Sequence, residues 1–123
     1  MSAGAVVTEL IQANEARDIE AVLAVMTDDI EYENVGMGVC TGHDEVRALL
    51  GPFLSGAERV AWEVLAQLER GDTVMNERVD RFFLPGGKQV EARVAGYFEV
   101  QDGKVRRWRD YFDTAALLRD LQG

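Results

Sequence analysis

Histidine and cysteine each occur once in this chain of 123 residues, and proline only twice. Cys40 alone cannot close an intrachain disulfide, so a reducing, cytoplasmic setting is expected. With His43 as the only imidazole, the donors for a zinc site are missing, and no metal is expected, although a carboxylate-only magnesium site stays open. Positive charge is also scarce. Lys and Arg number 13 against 22 Asp and Glu, a formal charge of -9. Nucleic acids and anionic membranes need clustered positive charge, so neither is an expected partner, and Arg106-Arg107 is too small to form such a patch. No apolar run is long enough to span a bilayer, and MSAGAVVTELIQANEARD lacks the basic start and apolar core of a signal peptide. Linkers rich in proline or serine, low-complexity tracts and repeats are absent as well.

What remains is a hydrophobic fraction of 47%. That is enough for one core and excludes a disordered chain, and the length fits one domain over residues 1–123. Val6, Val7, Leu10 and Ile11 form a helical stripe, as do Ile19, Val22, Leu23 and Met26 behind an Asp18 cap. Thr41-Gly-His-Asp44 reads as a capping box for a third helix carrying Val46, Leu49, Leu50, Phe53 and Leu54. A short strand, Ile30 to Asn34, lies between the second and third helices, and Asp28-Asp29 reads as a loop pair. From residue 58 the pattern turns strand-like. Arg70-Gly-Asp, Pro85-Gly-Gly and Gln101-Asp-Gly separate strands near 58–69, 73–84, 88–101 and 104–112. Asp113 then caps a short helix with Leu117, Leu118 and Leu121. The class is α+β, with helices on one face of a curved sheet.

Alternation identifies the inner faces. Over 88–101, Val90, Ala92, Val94, Gly96, Phe98 and Val100 share one side, opposite Gln89, Glu91, Arg93 and Glu99. The same parity selects Val74, Asn76, Arg78, Asp80 and Phe82, then Arg106, Trp108, Asp110 and Phe112, and also Ile30, Tyr32 and Asn34. Asp110 therefore lies between a tryptophan and a phenylalanine, where a charge is expensive to keep. If these faces converge, Tyr32, Asn34, Arg78, Asp80 and Asp110 share one concavity walled by Val94, Phe82, Trp108 and Phe112. Such a polar set is costly for stability alone. A buried Arg–Asp pair with satisfied hydrogen bonds is the competing, structural reading.

Tyr32-Glu-Asn34, Arg78-Val-Asp80 and Trp108-Arg-Asp110-Tyr-Phe-Asp113, in that order, resemble limonene-1,2-epoxide hydrolases over essentially the whole chain. The resemblance implies a cone-shaped fold with a curved mixed sheet, shared with nuclear transport factor 2, and a homodimer with Tyr111 and Trp62 at its interface. It implies opening of an apolar epoxide by water to a diol, without cofactor. By the same resemblance Asp110 is the general base, Tyr32 and Asn34 hold the water with it, Asp80 is the general acid, and Arg78 bridges the aspartates. The chain starts close to its first helix, without the longer N-terminal extension of some members, so part of their pocket wall is expected to be missing or rebuilt. An isomerase or cyclase, or a non-catalytic binder of apolar ligands, remains open on the same fold. Cys40 is expected to be a small buried residue, His43 solvated, and Asp113 a cap.

Overall fold

The computed structural model describes residues 1–122. Ser2 accepts from the Ala5 N–H at 3.1 Å and starts α1 (Ala3–Glu15), whose Val6, Val7 and Leu10 are fully buried. Asp18 caps α2 (Ile19–Ala24) by accepting from the Ala21 N–H at 3.1 Å. The chain then forms β1 (Met26–Asn34), β2 (Gly38–Thr41), α3 (Gly42–Gly56), β3 (Arg59–Arg70), β4 (Thr73–Phe83), β5 (Gln89–Gln101), β6 (Lys104–Tyr111) and α4 (Thr114–Gln122). Among the described residues the strands make one sheet in the order β2-β1-β6-β5-β4-β3. All neighbours are antiparallel except β1 and β6, which run parallel. The helices α1 to α3 close over the inner face, as the α+β reading anticipated, and bury the stripes that define them.

The β5–β6 turn shows why a meander forms here. Its central residues Asp102 and Gly103 take φ of 52° and 77°. Positive φ at both central positions matches the twist of an antiparallel hairpin, and Asp-Gly tolerates it. Asp113 caps α4 as expected, its Oδ1 accepting from the Ala116 N–H at 3.0 Å.

Several local expectations give way. Met26 opens β1 instead of extending α2. It is buried in either arrangement, so its spacing cannot distinguish them. Asp28 and Asp29 consequently sit within a strand, not a loop. The strand β2 was not anticipated, since Gly38-Val-Cys-Thr is short, at the sheet edge and largely exposed. The proposed capping box is not formed. The Thr41 side chain makes no cap bond, and Glu45 Oε1, not Asp44, accepts from the Thr41 N–H at 2.9 Å, while Asp44 pairs with Arg47. Cys40 is half-buried rather than enclosed, and His43 is half-buried with Nε2 3.2 Å from the Met26 carbonyl rather than solvated. A register shift in β6 opposite Glu99 inserts one extra residue, so Val105 and Trp108 both face inward. Arg106 is thereby turned off the inner face and pairs with Glu99. Trp62, expected at a subunit interface, is only 4% exposed within a single chain and so has almost no surface to offer one.

Candidate active site

The parallel β1–β6 pairing and the two antiparallel pairings beside it place the site. Tyr32 stands opposite Trp108 and Asn34 opposite Asp110. Asp110 stands opposite Gly96 on β5, and Gly96 opposite Asn76 on β4. Arg78 and Asp80 follow on the same face of β4. Residues as far apart in sequence as Tyr32 and Asp110 thus present one continuous polar patch on an otherwise apolar inner surface.

Arg78 is its centre and has no exposed surface. Its Nε donates to Asp80 Oδ1 at 3.0 Å and its Nη2 to Asp80 Oδ2 at 2.9 Å, a planar two-point grip. Nη2 also donates to Asp110 Oδ2 at 2.9 Å, and Nη1 to Asn76 Oδ1 at 3.0 Å. The guanidinium carbon lies 5.3 Å from the centre of the Trp62 ring and 5.9 Å from that of Phe98, so aromatic faces shield a fully desolvated cation. The second Asp110 oxygen, Oδ1, accepts from Trp108 Nε1 at 2.7 Å. Trp108 in turn stacks on Tyr32 with ring centres 4.0 Å apart, and the Tyr32 hydroxyl donates to Asn34 Oδ1 at 3.2 Å. The structure therefore brings Tyr32, Asn34, Arg78, Asp80 and Asp110 together.

The electrostatics single out Asp80. Burial pushes the Asp80 carboxyl up, Arg78 opposes it through hydrogen bond and charge, and the nearby Asp110 pushes it up again. The balance is a pKa of about 6. Burial disfavours the Arg78 cation, but Asp110 and Asp80 more than compensate and keep it charged. Burial first, and the Asp110 charge second, push the Tyr32 phenol well above its ordinary range, so it remains a neutral hydroxyl. Burial and the neighbouring Asp110 charge thus both favour the protonated form of Asp80, against the pull of Arg78.

The polar patch floors a cavity of about 90 Å3. Tyr32, Asn34, Asp80 and Asp110 face it directly. Of the anticipated walls, Phe82, Val94 and Phe112 line it, and Trp108 does not. Trp108 is fully buried beneath the floor and meets Asp110 through its N–H rather than presenting its ring to a ligand. Its place in the wall is taken by Trp62, joined by Leu49, Leu50 and Phe53 of α3, by Met37 and by Leu117 of α4. Helical spacing marked the α3 residues as core; Leu50 is buried there, whereas Phe53 is half-buried and Leu49 exposed. Asn76 shares the parity of Arg78, so its presence on the face was readable, but its hydrogen bond to Arg78 was not. Among the described residues no group of three or more His, Cys, Asp or Glu side chains is arranged to hold a metal ion. The position between the two carboxylates is filled by the Arg78 guanidinium.

Comparison with known proteins agrees with this geometry. A family model described as the limonene-1,2-epoxide hydrolase catalytic domain matches residues 1–122. Epoxide hydrolase EphG of Mycobacterium tuberculosis (strain ATCC 25618 / H37Rv) is 36% identical over 119 residues, covering 94% of this chain and 76% of that protein. The solved structure of an M. tuberculosis LEH-like epoxide hydrolase superposes with a TM-score of 0.83 at 32% identity, over 98% of this chain and 89% of the other. An NTF2-like protein of unknown function from Burkholderia pseudomallei K96243 superposes over 100% of both chains with a TM-score of 0.85, at 24% identity, and shares the fold alone.

Proposed function

Because the chain belongs to the limonene-1,2-epoxide hydrolase family, we propose that it adds water to an apolar epoxide in one acid/base step, giving a vicinal diol without a cofactor. The observation that carries this reading is a pair of aspartates joined by one buried guanidinium at the polar floor of an apolar cavity.

Asp110 is the base. Each of its oxygens already accepts one hydrogen bond, from Trp108 and from Arg78, which fixes the carboxylate plane and leaves lone pairs facing the cavity. A water on that floor donates one hydrogen to Asp110 and one to the Tyr32 oxygen, and accepts from the Asn34 amide N–H. One lone pair remains for attack. Asp80 is the acid. Its carboxyl, raised to about 6, keeps a proton to give close to neutrality. As the water oxygen bonds to an epoxide carbon, the C–O bond of the strained ring breaks. Asp110 takes the water proton while Asp80 gives its own to the departing alkoxide. The product is a diol, with the proton now on Asp110. Its return to Asp80 through solvent completes the cycle. The apolar walls bind the hydrocarbon part and exclude bulk water, which strengthens every charge interaction on the floor.

The test is a panel of bulky apolar epoxides incubated with purified protein and chelator in 18O-labelled water. Vicinal diol carrying one labelled oxygen is expected. An unlabelled isomer would place the protein among the isomerases and cyclases of this fold, and ligand binding without any product would make it a binder. Activity only after a divalent metal is restored would remove the cofactor-free mechanism.

Tyr32→Phe tests the water site within the same reading. The ring keeps its stack on Trp108, so the change deletes one hydroxyl from an intact pocket. Turnover should fall by roughly one to three orders of magnitude, the scale of losing an oriented contact to the reacting water, with little change in KM. A rise in KM at unchanged turnover would make Tyr32 a wall residue only.

A further inference from the structure

Beyond the five polar residues of the proposed reaction, a second row of side chains touches Arg78 from the side facing away from the cavity. Arg78 Nη1 donates to Asn76 Oδ1 at 3.0 Å, Asn76 Nδ2 donates to Gln67 Oε1 at 3.2 Å, and Gln67 Nε2 donates to the Gly4 carbonyl of α1 at 3.3 Å. The orientation of both amides is forced from the arginine outward. A guanidinium can only donate, so Asn76 must turn its oxygen to it. That leaves the Asn76 nitrogen for Gln67, whose oxygen must face it, and the Gln67 nitrogen for the helix carbonyl. Each link has one satisfactory arrangement.

Two backbone features bear on this row. A register shift between Val64 and Ala66 of β3 reverses the alternation that buries Val60 and Trp62. Gln67 is thereby brought round beside Asn76. On β5, a Cβ at Gly96 would lie 2.4 Å from Arg78 Nη1 and 2.6 Å from Asn76 Oδ1, the two ends of the same hydrogen bond. Only the absence of a side chain at 96 lets the guanidinium cross β5 to reach Asp110 on β6.

We infer that Asn76 and Gln67 are positioning residues, a relay of amides from the N-terminal helix that fixes the Arg78 guanidinium between Asp80 and Asp110 and so sets how firmly it holds both carboxylates. The inference rests on the epoxide-hydrolase reading for its kinetic readout alone. The charged and titratable groups facing the pair are few. Arg78 is on β4 and Tyr32 on β1. Glu15 at the end of α1 bonds the Trp62 backbone N–H at 3.1 Å and acts on Asp80 through its charge. On β3, Glu69 lies beyond Gln67 against Gly4. From β5 the neighbours are Ala92, Val94 and Gly96, and α3 and α4 contribute apolar side chains to the cavity.

Gln67→Met is the decisive variant. It keeps side-chain length at a half-buried position, adds no charge and touches neither Arg78 nor the cavity. A loosened Arg78 supports the ionised carboxylates less, so both limbs of the kcat/KM profile should move to higher pH, by roughly half a unit. Asn76→Asp keeps an acceptor for Nη1 but adds a third carboxylate to the same cation, and should move both limbs up by roughly one unit. The same shifts should appear in 13C titrations of the aspartate side-chain carboxyls, which need no turnover. A wild-type protein that forms no diol would therefore overturn the functional reading and leave the NMR titration to decide this one. Gln67→Met titrating as wild type, with only its melting temperature lowered or its rate scaled equally at every pH, would reduce the relay to a structural hydrogen bond and overturn the inference. Should Asn76→Asp not fold, Gln67→Met alone decides.

Discussion

Asp110→Asn is expected to lower diol formation by roughly two to four orders of magnitude, the usual scale of a lost general base. The amide cannot take a proton from water, but its effect reaches further. Both Asp110 oxygens accept from groups that can only donate, Trp108 Nε1 and Arg78 Nη2. An asparagine offers one oxygen and one NH2, so one of those donors must face another donor. Leaving such a buried group unpaired costs about 1–3 kcal/mol. The variant should thus melt below wild type as well as lose activity. Turnover is to be measured well below its own melting temperature, with near-UV circular dichroism confirming native packing. Residual kcat within tenfold of wild type in a folded Asp110→Asn protein would remove Asp110 as the base.

Asp80→Asn should cost as much, and its pH signature should differ. With the carboxyl held at about 6, mainly by burial, the acid carries its proton below that value and loses it above. The kcat/KM of wild type should therefore decline on the alkaline side of about pH 6, the limit in turnover lying higher if substrate expels water from the cavity. The acid limb reports protonation of the base, and both values belong to the coupled pair. Asp80→Asn has no proton to surrender, so whatever activity remains should lack the alkaline limb. Folding stability carries the same sign. The folded pKa lies above the unfolded value of 3.8, so the native state binds the proton more tightly. Stability from this residue is greatest below the unfolded value and is lost as pH rises through the folded one, a dependence that Asp80→Asn should flatten. Near wild-type turnover with the alkaline limb intact would show that the alkoxide is protonated by another group.

The order of helices, the hairpin meander and the inner faces of β4 and β5 were legible because alternation and turn chemistry are local. Val90 through Val100 declare their face within one strand, and Asp102-Gly103 declares its turn in two residues. Wherever a strand slips register, that reading fails. The extra residue near Arg106 turns it off the inner face, and the one between Val64 and Ala66 brings Gln67 inward against the parity of Trp62. Neither slip leaves a mark in the sequence, since Val, Leu and Arg suit either side of a sheet. Trp108 illustrates a second limit. Its position was read correctly, but whether an indole shows its ring or its N–H to a neighbour depends on a rotamer. Asn76 was visible on the right face, and what it bonds to was not. The five polar residues on the inner face were legible because polar side chains on an apolar face stand out, whereas Trp62, Leu49 and Phe53 are apolar like their neighbours and become pocket walls only through the packing of α3 over the sheet.

The parallel pairing of β1 with β6 also sets an order of events for the folding chain. β3 to β6 are joined by consecutive short turns, so their pairings close small loops early and cheaply. Tyr32 meets Trp108, and Asn34 meets Asp110, each 76 positions further along the chain, only when the first strand inserts between the last strand and β2. Long-range closure of this kind is slow. A partly folded chain would hold Arg78, Asp80 and Asp110 on its meander while still lacking the two residues proposed to hold the water. On loop-closure grounds the last pairing to form would then be the one that also completes the set of residues proposed to hold the water.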